Sequence, residues 1–376
     1  MKSYFNLDEN IIHVNHAAVA PWPVQTVEAV KQFAEENGHR GSQRYGAWLQ
    51  HEAALRDKLA TLINAPSADD IALLKNTSEG LSIIAYGLAW QAGDEIIIAD
   101  EEFPSNRIVW ESLASQGVKV IQVNLSGSGS PEQALVDAFS DKTRLLSISA
   151  VQYASGLKMD LITLGQACQQ HGVLYCVDAI QQIGALNFNS QAIQADFVVA
   201  DGHKWMLGPE GLALFYCRSS LRAELKLQQY GWHMLEDLSD FNKMDNWQPA
   251  STARRFECGS PNMLCIHALA ASIELLLEVG MAQVEQRVLD NVQYLIRGLS
   301  ALPAAQVHSP TDRARHGGIF TFSLIGHDNA ALYEWLVNKG VICALRGAGI
   351  RFSPHFHNTQ AQLDQLISWI TDYSQS

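Results

Sequence analysis

The chain has 376 residues, 47% of them hydrophobic, and 26 Lys and Arg stand against 39 Asp and Glu, a formal net charge of −13. That apolar share supplies a large core and excludes disorder as the main state, while the length suits roughly two or three domains. The acidic balance argues against a nucleic acid or an anionic membrane as partner, because both need a positive field. Charged residues make up only 17% of the chain, below the roughly 25% of an average protein, which hints at subunit contacts.

The first ten residues carry Asp8 and Glu9 and no apolar stretch of signal length. The first expected strand is Ile71–Lys75, followed by a helix Ser78–Trp90, a strand Glu95–Ala99, a helix Ser105–Gln116 and a strand Val118–Val123. A loop at Ser126–Ser130 contains Gly127-x-Gly129 but lacks the third glycine of a dinucleotide fingerprint, so a nicotinamide cofactor has little support. A helix Glu132–Phe139, a strand Leu145–Ala150, a helix Leu161–His171 and strands Val173–Asp178, Phe197–Ala200 and Leu212–Tyr216 come next. Several strands are apolar on both faces, which suits a mainly parallel sheet covered by helices on both sides. The last three lack clear helices between them and leave room for one antiparallel member.

The remainder reads as a compact α+β unit. Helices Asn262–Leu277 and Met281–Leu299 flank Gly280. A strand Ile319–Leu324, a helix Ala330–Lys339, strands Val341–Leu345 and Ile350–Ser353 and a helix Ala361–Tyr373 follow. A domain boundary is expected near residues 260–285. No segment approaches the roughly 20 apolar residues of a membrane span. The six cysteines, Cys168, Cys176, Cys217, Cys258, Cys265 and Cys343, form no C-x-x-C pair and mostly sit in apolar runs. That is the pattern of reduced thiols rather than disulfides or a zinc site. The expectation is a soluble, cytoplasmic protein with no bound metal and no membrane or nucleic-acid partner.

The chemistry concentrates between Val173 and Gly208. The strand VLYCV ends in Asp178, and DFVVA runs into Asp201-Gly202-His203-Lys204-Trp205. Ligands of parallel sheets sit beyond the carboxyl ends of the strands, so Asp178 and Lys204 should face one crevice. A lysine beside a carboxylate meets the needs of pyridoxal phosphate, which requires an amine for a Schiff base and an acid to keep its pyridine nitrogen protonated. A phosphate site should accompany them. Asn76-Thr77-Ser78-Glu79-Gly80 precedes an apolar helix, Asn76 and Glu79 have capping-box spacing, and a helix start suits a phosphate. Phe103, at another strand exit, is placed to stack on a flat ring.

In order along the chain, VNHAAVAPWP, KNTSEGLS, EEFPSN, SAVQYASG, VDAIQQIG, ADGHKWMLGPEG, RRFECGSPN and IRFSPHFHN resemble the class V pyridoxal-phosphate-dependent aminotransferase family. That family includes cysteine desulfurases, cysteine lyases, kynureninase and isopenicillin N epimerase. The resemblance implies an α/β protein of pyridoxal-phosphate fold type I. A large domain over 16–260 would hold a mainly parallel seven-stranded sheet flanked by helices. Residues 1–15 and 261–376 would form the smaller α+β domain.

The same resemblance implies roles. Lys204 would be the Schiff-base lysine and the catalytic acid and base, Asp178 the partner of the pyridine nitrogen, and Gln181 a donor to the ring oxygen. Phe103 would stack on the ring, as in kynureninase. Thr77 and Ser78, helped by His203, would hold the phosphate, and Gln152 and Tyr153 would lie over the ring's hydroxyl side. Ser260 would reach the phosphate of a partner subunit, which implies a homodimer with shared active sites. Arg351 would grip the α-carboxylate of an amino acid substrate, and Asn15 and His16 would border the substrate entrance. His39 and Arg40 fall in a segment near the partner's site, and Arg346 offers a second anion contact or a solvated side chain. Trp205 and Trp232 read as packing.

Two departures stand out. Relatives often place a serine or threonine where this chain has Asp201, so its side chain should turn from the phosphate or be held by His203. Desulfurases carry a nucleophilic cysteine on a loop ahead of the final arginine, whereas residues 344–350 contain none and Cys343 lies in an apolar run. Sulfur transfer through a protein persulfide is therefore disfavoured. Family breadth favours an aminotransferase-type enzyme. Cleavage of C–S or other β-bonds (cysteine or cystine lyase, or desulfurase-like), epimerisation, and cofactor binding without turnover are the alternatives.

Overall fold

The computed structural model describes residues 4–127, 129–239 and 245–375. Ser128 of the expected Ser126–Ser130 loop lies outside the described residues, as do residues 1–3 and 376 at the two ends of the expected small domain. A short strand, β1 (Ile12–His13), precedes two helices, α1 (Val24–Arg40) and α2 (Tyr45–Leu62). Strand and helix then alternate through β2 (Ile71–Leu74), α3 (Thr77–Gly87), β3 (Glu95–Ala99), α4 (Ser105–Glu111) and β4 (Lys119–Val123). The alternation continues with α5 (Pro131–Asp137), β5 (Thr143–Ser149), α6 (Leu161–His171) and β6 (Leu174–Asp178). β7 (Phe197–Asp201) and β8 (Ala213–Cys217) follow with no α-helix between them. The chain ends with α7 (Met263–Val279), α8 (Met281–Ser300), β9 (Ala305–Val307), β10 (Phe320–Leu324), α9 (Asn329–Asn338), β11 (Val341–Ile342), β12 (Ala344–Arg346), β13 (Gly349–Phe352) and α10 (Gln360–Tyr373).

β2 to β8 make a seven-stranded sheet in the order β2-β8-β7-β6-β5-β3-β4. It is mainly parallel, and β8 is the antiparallel member, paired with β7 and with β2. Alternation along each strand explains the layers. Val198, Ala200, Leu214 and Tyr216 join one core cluster, while Phe197, Val199, Phe215 and Cys217 join another on the opposite face. Successive side chains point to opposite faces of a strand, so a strand apolar at every position is covered twice. α3 and α4 cover one face through Leu81, Ile84 and Trp110. α2, α6 and α7 contribute Leu55, Leu164 and Ile266 to the other.

α1 and α2 carry no expectation from sequence; α1 buries only Thr26, while α2 buries Trp48, Leu55, Leu59 and Leu62 among others. They are held by α7, a helix apolar over most of its surface, against which both pack. A third cluster gathers Val292 and Leu295 of α8, Phe320 and Phe322 of β10, Leu363 and Leu366 of α10, and Ile12 and Val14 from the N-terminal segment. The handover between cores falls inside α8, with Leu289 in the first cluster and Val292 in the third. The expected strand Val341–Leu345 is broken at Cys343: β11 pairs in parallel with β1, and β12 turns to pair with β13. No single helix among the described residues is long and apolar enough to cross a membrane.

Candidate functional site

β5, β6 and β7 end side by side. Ser149 pairs with Asp178 across β5 and β6, Asp178 pairs with Val199 on β7, and Asp201 closes β7. A cavity of about 250 Å³ opens beyond these ends, lined among others by Asp178, Asp201, His203 and Lys204. Gly184 draws the segment after Asp178 against the lysine loop. It adopts φ +95°, and a Cβ there would lie 2.3 Å from Trp205 O. Trp205 is fully buried and donates its indole Nε1–H to Gln181 Oε1 at 2.8 Å, while Gln181 Nε2 donates to Ala17 O at 3.1 Å.

Burial lowers Lys204 to about 8, with Asp178 opposing the change and Arg351 adding to it. Burial raises Asp178 to about 6 against the pull of the Ile180 N–H, which it accepts at 3.1 Å, and of Lys204. The two groups therefore share a cavity and feel each other's charge. Lys204 Nζ lies 5.6 Å from the centre of the Phe103 ring, which meets the Tyr153 ring edge-on at 5.2 Å.

At one end of the cavity stand Asn76, Thr77 and Ser78, at the start of α3. Asn76 caps the helix by accepting the Glu79 N–H at 2.9 Å, but Glu79 reaches back to the Lys75 N–H at 2.6 Å rather than to the cap residue. Thr77 Oγ1 is buried without a partner, and Ser78 Oγ donates to Ser105 Oγ at 3.0 Å. Asp201 Oδ1 and His203 Nδ1 approach to 3.0 Å, at an angle that makes no hydrogen bond, and Asp201 lines the cavity rather than turning from it. At the other end, Arg351 is 2% exposed and donates Nη1–H to Tyr153 O at 2.8 Å, leaving Nε buried and unpartnered. Burial and the neighbouring Arg346 push Arg351 down to about 10, so it stays charged at neutral pH. Arg346 also lines the cavity.

The structure thus brings Thr77, Ser78, Phe103, Tyr153, Asp178, Gln181, His203, Lys204 and Arg351 to one cavity. Gln152 is completely buried behind the wall and bonds to Glu102. Asn15 makes a 3.5 Å contact with Arg351 Nη2. His16 does not border the entrance. His16 opens a turn just after the Asn15–Ser353 bridge, and it is fully buried, as is Val14. His16 Nδ1–H donates to Ser353 O at 3.0 Å, and its Nε2 accepts from His357. Ser260 is exposed and lies outside this cavity, as do His39 and Arg40 at the end of α1. Ser149, Ser105 and Ile180 line the cavity without having been singled out; Ser149 was legible as the last polar residue before the strand exit at Ala150.

These residues fit pyridoxal phosphate. An unpartnered buried hydroxyl waits at a helix start for a phosphate, a carboxylate with one backbone donor waits for a ring nitrogen, and a buried amine stands between them. The profile of the aminotransferase class-V family matches residues 12–366. The chain belongs to the class V aminotransferase family.

Among its relatives, this class V chain is 29% identical over 377 residues to a probable cysteine desulfurase of Methanothermobacter thermautotrophicus, covering 94% of this chain and 92% of that protein. It is 28% identical over 383 residues to a cysteine desulfurase of Escherichia coli, covering 95% and 92%. Its fold matches a cystine C-S lyase, C-DES, solved with its product cysteine persulfide, at a TM-score of 0.90 and 22% identity over 97% of this chain and 98% of that one. The α/β fold type I architecture expected of this chain is the one the match to the C-S lyase shows.

Proposed function

We propose that the protein is a pyridoxal-phosphate-dependent C–S lyase acting on a sulfur-bearing amino acid. The aminotransferase-type activity favoured by family breadth gives way to its alternative, because the similar proteins are named as desulfurases and a C-S lyase. The observation that carries the reading is a cavity that holds Lys204, Asp178 and Arg351 and is lined by no cysteine. Cys343 is buried and its thiol is pushed up to about 12 by burial, so it is neither reachable nor ionised near neutral pH. Sulfur would leave to solvent rather than to a protein thiol.

Bound here, pyridoxal phosphate would supply an electron-withdrawing ring that stabilises negative charge at a substrate α-carbon. Thr77, Ser78 and the α3 start would hold its phosphate, and Asp178 would keep a proton on its ring nitrogen. Arg351 orients the α-carboxylate through a planar fork already aligned by Tyr153 O. Lys204 Nζ, held near pKa 8 by burial, is partly unprotonated at neutral pH and takes the α-proton. The β C–S bond then breaks, and sulfur leaves with its electron pair. With one water the products would be pyruvate, ammonia and the released sulfur: hydrogen sulfide from cysteine, cysteine persulfide from cystine. The reading includes a cytoplasmic homodimer in which the exposed Ser260 closes the phosphate end of the partner's cavity; unpaired cysteines support a reducing compartment.

The test supplies cysteine, cystine and other amino acids singly to the loaded protein. Pyruvate together with sulfide or persulfide is the expected result. Alanine with a protein-bound persulfide, or conversion to the pyridoxamine form without sulfur release, contradicts the proposal. Lys204→Ala should abolish borohydride fixation of pyridoxal to the chain.

A further inference from the structure

Behind the cavity wall lies a buried carboxylate that neither the reaction nor the cofactor site uses. Glu102, at the exit of β3, is 6% exposed. Its Oε1 accepts the Ser149 backbone N–H at 2.8 Å and Gln152 Nε2–H at 3.2 Å. Its Oε2 accepts Asn106 Nδ2–H at 2.8 Å and the Ser149 hydroxyl at 2.5 Å. The next residue, Phe103, lines the cavity, as do Ser149 itself and Tyr153 beside Gln152. Glu102 therefore ties the β3 exit to the β5 exit immediately behind the wall that faces Lys204.

Among the described residues no cation bonds this carboxylate. The charged and titratable groups around it are Asp100 and Glu101 on its own segment, Cys176 and Asp178 on β6, and Tyr153 and His308 across a second cavity that Glu102 also lines. From α4 it meets only the neutral Asn106, which also receives the Trp110 indole N–H and the Ser147 hydroxyl on its Oδ1. A buried carboxylate without a cation is expensive to keep ionised, and burial pushes Glu102 up to about 7.

Gln152 supplies the second half of the arrangement. With Nε2 committed to Glu102, its Oε1 is buried and has no partner. The reverse orientation would set an amide oxygen against a carboxylate oxygen, which is repulsive while Glu102 is ionised. Once Glu102 carries a proton, its O–H can donate to that oxygen, and the repulsion against the turned amide is gone.

We propose that Glu102 is a positioning residue of this active site. As a carboxylate it holds Ser149 and Gln152 in one orientation, and on taking up a proton it lets the Gln152 amide turn over, so that the hydrogen-bonding wall behind the cofactor ring switches. The inference rests on the reading that this cavity holds pyridoxal phosphate.

The experiment follows the absorbance of bound pyridoxal phosphate from about pH 5.5 to about pH 8.5 in the wild type, in Glu102→Gln, in Gln152→Ala and in the double variant. The expected result is a transition near pH 7 in the wild type whose midpoint moves by about one pH unit or disappears in Glu102→Gln. Gln152→Ala should also move it, and adding Glu102→Gln to Gln152→Ala should change it little further. Should Glu102→Gln not fold, Gln152→Ala decides: a moved midpoint supports the link. A retained chromophore with the wild-type midpoint in the folded variants overturns this inference alone. A wild-type protein that retains no chromophore overturns the functional reading and this inference with it.

Discussion

Arg351 is a cation held in a nearly closed space with a second cation, Arg346, beside it and no carboxylate to pair with. Such a group is stable only if an anion regularly replaces the missing partner. A bidentate carboxylate contributes roughly 1.5–3 kcal/mol through charge-assisted hydrogen bonds. Arg351→Ala should therefore raise KM for the amino acid roughly 10–100-fold with a smaller change in kcat. Arg351→Lys should recover little of it, because an ammonium lacks the planar fork. Arg346 is exposed and hydrogen-bonds only its neighbour Leu345 O, so Arg346→Ala should have the weaker effect. Steady-state kinetics on cysteine and cystine check all three. At this scale Lys204 and Asp178 were legible as residue types with a shared need, and Arg351 through the family resemblance. His16 was not, because whether a side chain at such a turn faces the entrance or the core depends on which surface the segment lies against.

Between elements, the site exists because three parallel strands end together and α6 returns the chain closely enough to keep them adjacent. Gly165 on α6 shows how close: a Cβ there would lie 1.9 Å from Ile193 O. Gly165→Ala should force α6 away from the segment leading into β7 and destabilise the protein by about 1–3 kcal/mol, as overpacking does. The fall should appear as a lower thermal midpoint, with activity per folded molecule unchanged. Elements read from periodicity came out within a few residues, since α6 and β3 are set by their own apolar spacing. α1 was invisible for the opposite reason: it buries only Thr26 and is secured by packing on α7, whereas the stripe of Trp48, Leu55, Leu59 and Leu62 on α2 has helical spacing and was there to be read.

Across the whole molecule, three buried histidines, His13, His16 and His355, and the half-buried His357 join the N-terminal segment to the stretch before α10 and to the loop after Lys204. His16 and His357 bond through their Nε2 atoms at 3.0 Å, His355 Nε2–H donates to Trp205 O at 3.1 Å while its Nδ1 accepts the Phe356 N–H, and the His13 and His16 rings meet at 4.7 Å. Each contact is satisfied by neutral imidazoles with one tautomer each. Burial lowers His13 and His355 to about 4, and lowers His16 and His357 as well. Each folded-state imidazole thus binds its proton more weakly than in the unfolded chain. Stability is full above about 6.5 and is lost as pH falls toward 4, at about 1.4 kcal/mol per pH unit for each fully affected site. Glu102 and Asp178, raised to about 7 and about 6, act in the opposite sense over the same range, and the histidines outnumber them. The thermal midpoint should fall markedly between pH 6.5 and pH 4.5. A flat profile would contradict the neutral network.

The sequence by itself determined the layered sheet, because strands apolar at every position must be covered on both faces, and it determined the lysine–carboxylate pair, because those residue types announce their chemistry at strand exits; Arg351 entered only through the family resemblance. Tertiary structure alone decided which polar groups lost their water. Glu102 sits in an ordinary run of acids until Ser149 and Gln152, nearly fifty residues on, close over it, and the histidines become one network only when both ends of the chain meet at Trp205. Desolvation is set by neighbours distant along the chain, and local patterning carries no record of them.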